Sequence, residues 1–224
     1  MIPRLLIDTA AMPDGEDEVR LFQRGDEFSI MLGSNELMNS RLSGSEEALA
    51  SLAFQAIGDG RNAKLLIGGL GMGFTLRAAL KEAADDIQIV VSELVPAVVD
   101  WARGPMAHIF DGCLDDPRVE IAMEDVGLLI AAGTAQYDAI LLDVDNGPDA
   151  LTRDANDRIY SAAGLRAARN NLKPGGVLAV WSSAPDKKFT GRLKSVGFSV
   201  EEVVVRANAG RSGARHNIWL ATRL

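Results

Sequence analysis

The chain has 224 residues, enough for one large domain with its own hydrophobic core, and 47% of them are hydrophobic while 24% are charged. Its net charge of −8, without any block of Lys or Arg, disfavours duplex nucleic acid and membrane surfaces as partners and suits a cationic small substrate. One cysteine and two histidines supply neither a disulfide nor a zinc-type cluster, so we expect no metal. Because no apolar run approaches the ~18 residues of a membrane span and the start does not look like a signal peptide, we expect a cytoplasmic protein.

The first forty residues predict a small β-structure. Short extended runs at residues 19–23, 28–32 and 36–38 are separated by Gly-containing turns, which is typical of a hairpin or meander. We therefore assign residues 1–44 to an N-terminal β-hairpin appendage and residues 45–224 to the main domain.

The main domain is predicted to open with a helix that has Ser45 as its N-cap and then to alternate strand and helix. Strands are predicted at residues 65–67, 87–92, 119–123, 139–142 and 177–181, and helices at 74–84, 96–103, 125–132, 159–172 and 185–196. Their nearly continuous apolar runs are typical of parallel strands covered on both faces. Two further strands, 198–206 and 216–222, follow with no helix between them. The sequence therefore predicts an α/β fold with a doubly wound, mostly parallel seven-stranded sheet of the Rossmann-like class I methyltransferase type, ending in an antiparallel hairpin.

A glycine-rich turn joins the first parallel strand to its helix and contains Gly68, Gly69, Gly71 and Gly73. Glycine lets the backbone turn tightly and approach a ligand closely, although a simple tight turn needs the same residues. The spacing is neither G-x-G-x-x-G nor a phosphate loop ending in Gly-Lys-Ser/Thr. We therefore interpret the turn as part of a site for a nucleoside without a pyrophosphate, which argues against NAD and ATP.

Acidic residues end the next two strands. Glu93, followed by Leu94, ends the second strand, where doubly wound folds place a carboxylate that accepts from the ribose hydroxyls. Asp125 ends the third strand, where its carboxylate is placed to accept from an adenine amine while the backbone N–H of Val126 serves a ring nitrogen. Each acid has a structural alternative at the start of the following helix. Together with the glycine turn, they predict a site for an S-adenosyl compound.

A polar loop follows the fourth strand and runs from Asp143 through Asp145 and Asn146 to Gly147. Ligands of doubly wound folds bind at this edge of the sheet, so we predict that Asp143 and Asp145 are catalytic and that Asp143 also contacts the cofactor. Such carboxylates hold a cationic amine or sulfonium, or take a proton from a nucleophile. The alternative is a solvated turn, which Asp, Asn and Gly also favour.

Several short motifs are spread over the main domain. They are Leu66-Ile67-Gly68-Gly69, Leu76-Arg77, Asp116-Pro117-Arg118-Val119-Glu120 and Tyr137-Asp138-Ala139-Ile140-Leu141-Leu142-Asp143. Together they resemble the spermidine synthase branch of the class I S-adenosylmethionine-dependent superfamily. The resemblance implies that Glu93 binds the ribose, Asp125 the adenine and Asp143 the amine side of the reaction.

Three departures from the family pattern shape the functional prediction. The family's glycine turn carries an aspartate that holds the aminopropyl amine of decarboxylated S-adenosylmethionine, whereas this turn has no acid. Asn146 stands where the family has a second catalytic acid, unless Asp145 replaces it, and Ser45 stands where the family has a tyrosine. Without the turn's acid, backbone N–H groups near Gly69 and Gly71 are expected to bind the carboxylate of intact S-adenosylmethionine. We therefore predict methyl transfer from S-adenosylmethionine to a small, amine-bearing acceptor.

Two alternatives stay open. One is an aminopropyltransferase that uses decarboxylated S-adenosylmethionine with an acid supplied from elsewhere in the chain. The other is a non-catalytic nucleoside-binding protein. The resemblance also implies a homodimer, for which the apolar Phe22, Phe28 and Ile30 of the N-terminal strands are candidate contacts.

Overall fold

A computed structural model of the chain describes residues 2–13, 17–58, 60–144, 148, 158–208 and 213–224. Two sheets organise these residues. The N-terminal sheet is an antiparallel meander of four strands, β1 (Leu5–Ala11), β2 (Glu18–Arg24), β3 (Glu27–Leu32) and β4 (Asn35–Asn39). The sequence predicted a smaller hairpin or meander that lacked β1.

Strand β1 was not predicted because it lies at the edge of its sheet and its side chains are almost all exposed. Its side chains are exposed along nearly the whole strand, including Leu5 at 56% and Leu6 at 54%. Strand patterns in a sequence come from the alternation of buried and exposed positions, and this strand has no such alternation.

The main sheet contains seven strands in the order β10-β11-β9-β8-β5-β6-β7. These strands are β5 (Lys64–Gly68), β6 (Gln88–Ser92), β7 (Val119–Ala122), β8 (Tyr137–Leu142), β9 (Leu172–Ser182), β10 (Phe198–Arg206) and β11 (Arg215–Arg223). Strands β5 to β9 run parallel, and β11 pairs antiparallel with both β9 and β10. The predicted doubly wound sheet and its closing hairpin are therefore confirmed.

Helices cover the main sheet. Those described are α1 (Gly44–Ile57), α2 (Phe74–Glu82), α3 (Pro96–Arg103), α4 (Ala107–Phe110), α5 (Val126–Ala132), α6 (Ala162–Asn171) and α7 (Lys187–Ser195). The N-cap of α1 is Ser43, not the predicted Ser45, whose buried hydroxyl bonds side chains instead. The last helix begins after Asp186, which caps it, rather than at Pro185. Among the described helices, none is both long and apolar enough to cross a membrane.

The N-terminal sheet shares a hydrophobic core with one face of the main sheet. Phe28 and Ile30 of β3 are buried in the same cluster as Trp101 of α3. The indole N–H of Trp101 also donates to Asp8 on β1 at 2.7 Å. Because two of the three candidate dimer contacts already pack inside the chain, they are not free for a second copy. The homodimer and the division into two domains at residue 44 stay predictions.

Motif residues behind the family resemblance hold the sheet together. Arg118 donates to both oxygens of Asp116, at 2.9 and 2.8 Å, and this pairing lowers the pKa of Asp116 to about 2. Asp138 on β8 accepts from the backbone N–H of Lys64 at 2.7 Å and from the ammonium of Lys173 at 2.6 Å. These acids are therefore positioned to stabilise neighbouring strands at the amino ends of the sheet, away from the glycine turn.

Candidate active site

The glycine-rich turn between β5 and α2 contains three residues with positive φ, Gly69 (+89°), Gly71 (+53°) and Gly73 (+75°). A Cβ on Gly69 would lie 2.6 Å from the backbone oxygen of Asp143, and a Cβ on Gly73 would lie 2.6 Å from the ring of Phe110. Glycine is therefore required both by the backbone angles and by close packing. Because Gly69 has no side chain, the turn can contact the loop that follows β8.

Glu93 follows the end of β6 and holds the glycine turn in place through hydrogen bonds. It is only 8% exposed, and its two carboxylate oxygens accept from the backbone N–H groups of Leu70, at 3.0 Å, and Val95, at 2.8 Å. Burial raises the pKa of Glu93, while these backbone hydrogen bonds act in the opposite direction. The carboxylate therefore links the turn to the start of α3.

Asp125 is the N-cap of α5. Its Oδ1 accepts from the backbone N–H groups of Gly127, at 2.7 Å, and Leu128, at 3.3 Å. The cap satisfies two donors that the first turn of a helix cannot pair internally. The structural alternative weighed for this residue is thus present, and it uses one of the two carboxylate oxygens.

A first cavity opens at the carboxyl ends of the parallel strands. Of the predicted cofactor-binding residues, it is lined by Gly69, Gly71, Glu93, Leu94, Asp125, Val126 and Asp143. The N-terminal sheet and the segments beside it contribute an apolar wall of Met12, Val19, Ile30, Leu32, Leu37 and Met38. A nucleoside base is flat and apolar on its faces, so this combination of apolar wall and polar edge is suited to one.

Met38 on β4 lines both the first cavity and the space beside it. Its Sδ lies 2.8 Å from where a Cβ on Gly71 would stand. The first cavity has an open volume of about 120 Å³, whereas ligand sites usually measure roughly 300 Å³ or more. An adenosine-sized ligand therefore requires wall side chains to move, and the unbranched Met12 and Met38 are the most adaptable of them.

Asp143 stands at the end of β8, half-buried between two helices. Its Oδ2 accepts from the hydroxyl of Thr75, in the first turn of α2, at 2.9 Å. Burial, and then repulsion from Glu46 on α1, raise the pKa of Asp143 to about 7, while the Thr75 bond opposes the shift. A carboxyl group that titrates near neutrality is suited to exchange protons with a substrate.

A second cavity of about 70 Å³ adjoins the first and shares Gly71 and Asp143 with it. Its lining residues are Leu37, Met38, Asn39, Glu46, Leu70, Gly71, Met72, Phe74, Asp143, Val144 and Trp181. Among the described residues of this lining, Glu46 and Asp143 carry the titratable groups. The second cavity therefore places two carboxyl groups beside an indole ring, next to the first cavity.

Glu46 is held by hydrogen bonds that run through Ser45 to His216. The hydroxyl of Ser45 donates to Glu46 at 2.7 Å, and Nδ1 of His216 lies 2.9 Å from the same hydroxyl. Because Ser45 has a single hydroxyl hydrogen, His216 is the donor in the second contact, through Nδ1–H. The imidazole also packs edge-on against Trp181, with ring centroids 4.8 Å apart.

Some predicted residues lie elsewhere. Gly68 is packed against Val126 and Val144, where a Cβ would come within 3.0 and 3.1 Å of their side chains, and neither Gly68 nor Gly73 lines the cavities. Asp145 lies outside the described residues, so its predicted catalytic role stays a prediction. The ligand contacts of the other predicted residues also stay predictions.

Sequence reasoning missed Glu46, in the first turn of α1, as a site residue. The signal in the sequence was weak, because acids are common in the first turn of helices. It also missed the N-terminal sheet as a cavity wall. Within the described part of the chain, no group of three or more His, Cys, Asp or Glu side chains is arranged to hold a metal ion.

Comparisons with known proteins point to one family. The model of the spermine/spermidine synthase domain matches residues 43–189. A polyamine aminopropyltransferase of Mycobacterium tuberculosis is 29% identical over 192 residues, which cover 82% of this chain and 35% of the relative. Another, from Nitrosomonas europaea, is 34% identical over 130 residues, covering 57% of this chain and 37% of the relative. The chain thus spans little more than a third of the length of these curated relatives.

Solved structures give the same fold. Spermidine synthase from Thermotoga maritima superimposes with a TM-score of 0.77 at 20% identity, covering 98% of this chain and 73% of the other. A spermidine synthase in complex with the transition-state analogue AdoDATO superimposes with a TM-score of 0.76, also at 20% identity, covering 98% of this chain and 72% of the other.

The prediction of methyl transfer from intact S-adenosylmethionine is wrong, because the curated relatives are aminopropyltransferases. The geometry of the turn gives a physical reason. The N–H of Gly69 already donates to the backbone oxygen of Ser92 at 2.9 Å, the N–H of Leu70 donates to Glu93, and the N–H of Gly71 also faces that carboxylate and lowers its pKa. These donors are not free to bind a ligand carboxylate, as the prediction required. The match to the family model extends over more than half of the sequence, and the chain belongs to the spermine/spermidine synthase domain family.

Proposed function

We propose that this chain transfers an aminopropyl group from decarboxylated S-adenosylmethionine to an amine. The observation that carries the proposal is the position of Asp143, which lines both the first cavity, suited to a nucleoside, and the second cavity, which it shares with Glu46. The names of the curated relatives support the same reaction.

In this proposal the adenosine group occupies the first cavity. Glu93 accepts from the ribose hydroxyls while it keeps its two backbone contacts, since each carboxylate oxygen can accept more than one hydrogen bond. Asp125 uses Oδ1 for the helix cap, and its Oδ2 accepts from the adenine amine. The N–H of Val126 donates to a ring nitrogen, and Leu94 contacts the nucleoside.

The chemistry is a nucleophilic substitution at carbon. The nitrogen of a neutral amine attacks the methylene carbon attached to the sulfonium, a carbon–nitrogen bond forms, and the carbon–sulfur bond breaks with its electron pair going to sulfur. The products are methylthioadenosine and a protonated secondary amine, which gives one proton to the Asp143 carboxylate. Alignment of the two reactants accounts for much of the acceleration in such a transfer.

The test is to supply the purified protein with decarboxylated S-adenosylmethionine and a linear diamine, and to measure both products by mass spectrometry. We expect methylthioadenosine and the aminopropylated amine in equal amounts. Tight binding of methylthioadenosine without turnover would instead favour the non-catalytic nucleoside-binding protein. Failure to bind any adenosyl compound would contradict the site itself.

A further inference from the structure

Glu46 has no role in the proposed reaction so far, yet it occupies a distinctive place. It lies in the first turn of α1 and is half-buried where α1 faces the glycine turn, and it lines the second cavity together with Leu70, Gly71 and Asp143. The neighbouring Glu47 is exposed and lines a separate groove on the surface. The two adjacent glutamates therefore point to different environments.

Among the described residues, the lining of the second cavity has two carboxyl groups and no cation to balance them. The lining residues given above include two carboxyl groups and no Lys, Arg or His. Burial raises the pKa values of both Glu46 and Asp143, and each is also raised by a nearby carboxyl group, Glu47 for the former and Glu46 for the latter. His216, behind Ser45, does not compensate, because burial lowers its pKa and favours the neutral imidazole.

A second observation also indicates a polar ligand. Trp181 is only 8% exposed and lines the same cavity, and its indole Nε1 has no hydrogen-bond partner among the described residues. A buried donor without a partner is costly, so such groups usually serve a ligand or water. The face of an indole ring also attracts an ammonium group.

Charge complementarity identifies the ligand group. A compact site with two carboxyl groups and an aromatic wall fits a primary ammonium, which donates up to three hydrogen bonds. Decarboxylated S-adenosylmethionine presents such an ammonium at the end of its aminopropyl chain. Intact S-adenosylmethionine carries a carboxylate on the same carbon, and a carboxylate placed beside two others would be repelled.

We infer that Glu46, together with Asp143, binds the aminopropyl ammonium and selects decarboxylated over intact S-adenosylmethionine. The inference rests on the proposed function and assigns to α1 an acid that the glycine turn does not supply. Glu46 is in this view a specificity-determining residue, which acts on binding and leaves the bond-breaking step to the reactants and Asp143.

The test compares three ligands on the wild type and its variants by calorimetry. The ligands are decarboxylated S-adenosylmethionine, intact S-adenosylmethionine and methylthioadenosine, which has neither the aminopropyl ammonium nor the carboxylate. The proteins are the wild type, Glu46→Gln and the matched control Glu47→Gln. Glutamine keeps the length of the side chain and an oxygen that accepts from Ser45, so the folded state should be preserved.

We expect the wild type and Glu47→Gln to prefer the decarboxylated ligand. In Glu46→Gln, affinity for that ligand should fall roughly tenfold or more, because a charge-assisted hydrogen bond is lost, while affinity for methylthioadenosine stays unchanged. Affinity for intact S-adenosylmethionine should stay the same or rise. A second variant, Glu46→Asp, keeps the charge and should retain most of the preference.

The possible failures are distinguishable. A wild type that shows no preference for the decarboxylated ligand would overturn the proposed function and this inference together. A wild type that shows the preference, with Glu46→Gln equally selective, would overturn the role of Glu46 alone. Unchanged binding of methylthioadenosine by the variant serves as the control for folding in either case.

Discussion

The first and second cavities differ in what their acidic side chains do. In the first, Glu93 and Asp125 accept from backbone N–H groups and thereby fix the turn and the start of a helix. In the second, Asp143 accepts a single hydroxyl bond and repels Glu46. Acids that satisfy the backbone stabilise the fold, whereas acids that repel each other beside a cavity destabilise it, which is the arrangement expected where a ligand is bound.

The largest effect is expected at the boundary of the two cavities. Asp143→Asn should lower turnover roughly 10²- to 10⁴-fold, because the amide cannot take the proton of the attacking amine. Affinity for methylthioadenosine, which reports on the first cavity, should be nearly unchanged. Steady-state kinetics and calorimetry on the same preparation check both expectations, and wild-type turnover in the variant would remove Asp143 from the reaction.

A stability effect should follow in the first cavity from Gly69→Ala. The new Cβ would stand 2.6 Å from a backbone oxygen at a φ of +89°, so neither neighbour can yield easily. We expect a loss of roughly 2–4 kcal/mol in the free energy of unfolding, from backbone strain and overpacking combined.

Gly191 in α7 provides the control for this prediction. An added Cβ there meets no atom within 4 Å, so Gly191→Ala should be neutral or slightly stabilising. Urea unfolding of both variants measures the contrast, and equal stabilities would show that the tight contact at Gly69 relaxes freely.

Repulsion in the second cavity should appear as a pH dependence of stability. Because the pKa of Asp143 is raised to about 7 in the folded protein, the folded state holds this proton more tightly than the unfolded state. The protonated Asp143 therefore contributes fully to the free energy of unfolding below pH 4, and this contribution is lost as the pH rises through 7. Glu46 from α1 and Thr75 from α2 are the groups that face it.

The measurement is urea unfolding at pH 5 and pH 8. Between these values the wild type should lose more stability than Asp143→Asn, which has no group to titrate at this position. If the free energy of unfolding changed equally with pH in both proteins, the pKa of Asp143 would not be raised in the folded state.

The smallest effect is expected at the helix cap in the first cavity. Asp125→Ala should cost about 1 kcal/mol of stability, since two N–H groups at the start of α5 lose their acceptor. Asp125→Asn keeps a side-chain oxygen for the cap and should be nearly neutral. If both variants weaken methylthioadenosine binding while only Ala destabilises the protein, the cap and ligand roles are separate.

Much of the main sheet could be predicted because its strands are long apolar runs bounded by glycine and acidic residues. The same reasoning located the edge where Gly71, Glu93, Asp125 and Asp143 meet, since the carboxyl ends of parallel strands lie together. Strand β1 could not be predicted, because exposure removes the pattern on which such prediction depends.

The directions of two side chains could not be predicted from the sequence. The sequence shows Glu93 at a strand end but not that it occupies the N–H of Leu70, which removes a donor that methyl transfer was expected to use. It shows Glu46 beside Glu47 but not which of them faces the cavity. Both facts depend on how helix and turn pack in three dimensions, which local patterns do not determine.

The position of β11 has a consequence for how the protein is made. This strand is inserted between β9 and β10 and brings His216 to Ser45, so the support behind Glu46 comes from residues synthesised more than 150 positions later. Until residues 215–223 leave the ribosome, β9 exposes an unpaired edge to other nascent chains. The support behind Glu46 in the second cavity is therefore completed only when this segment has been translated. Chaperones should stay bound to the nascent chain until then.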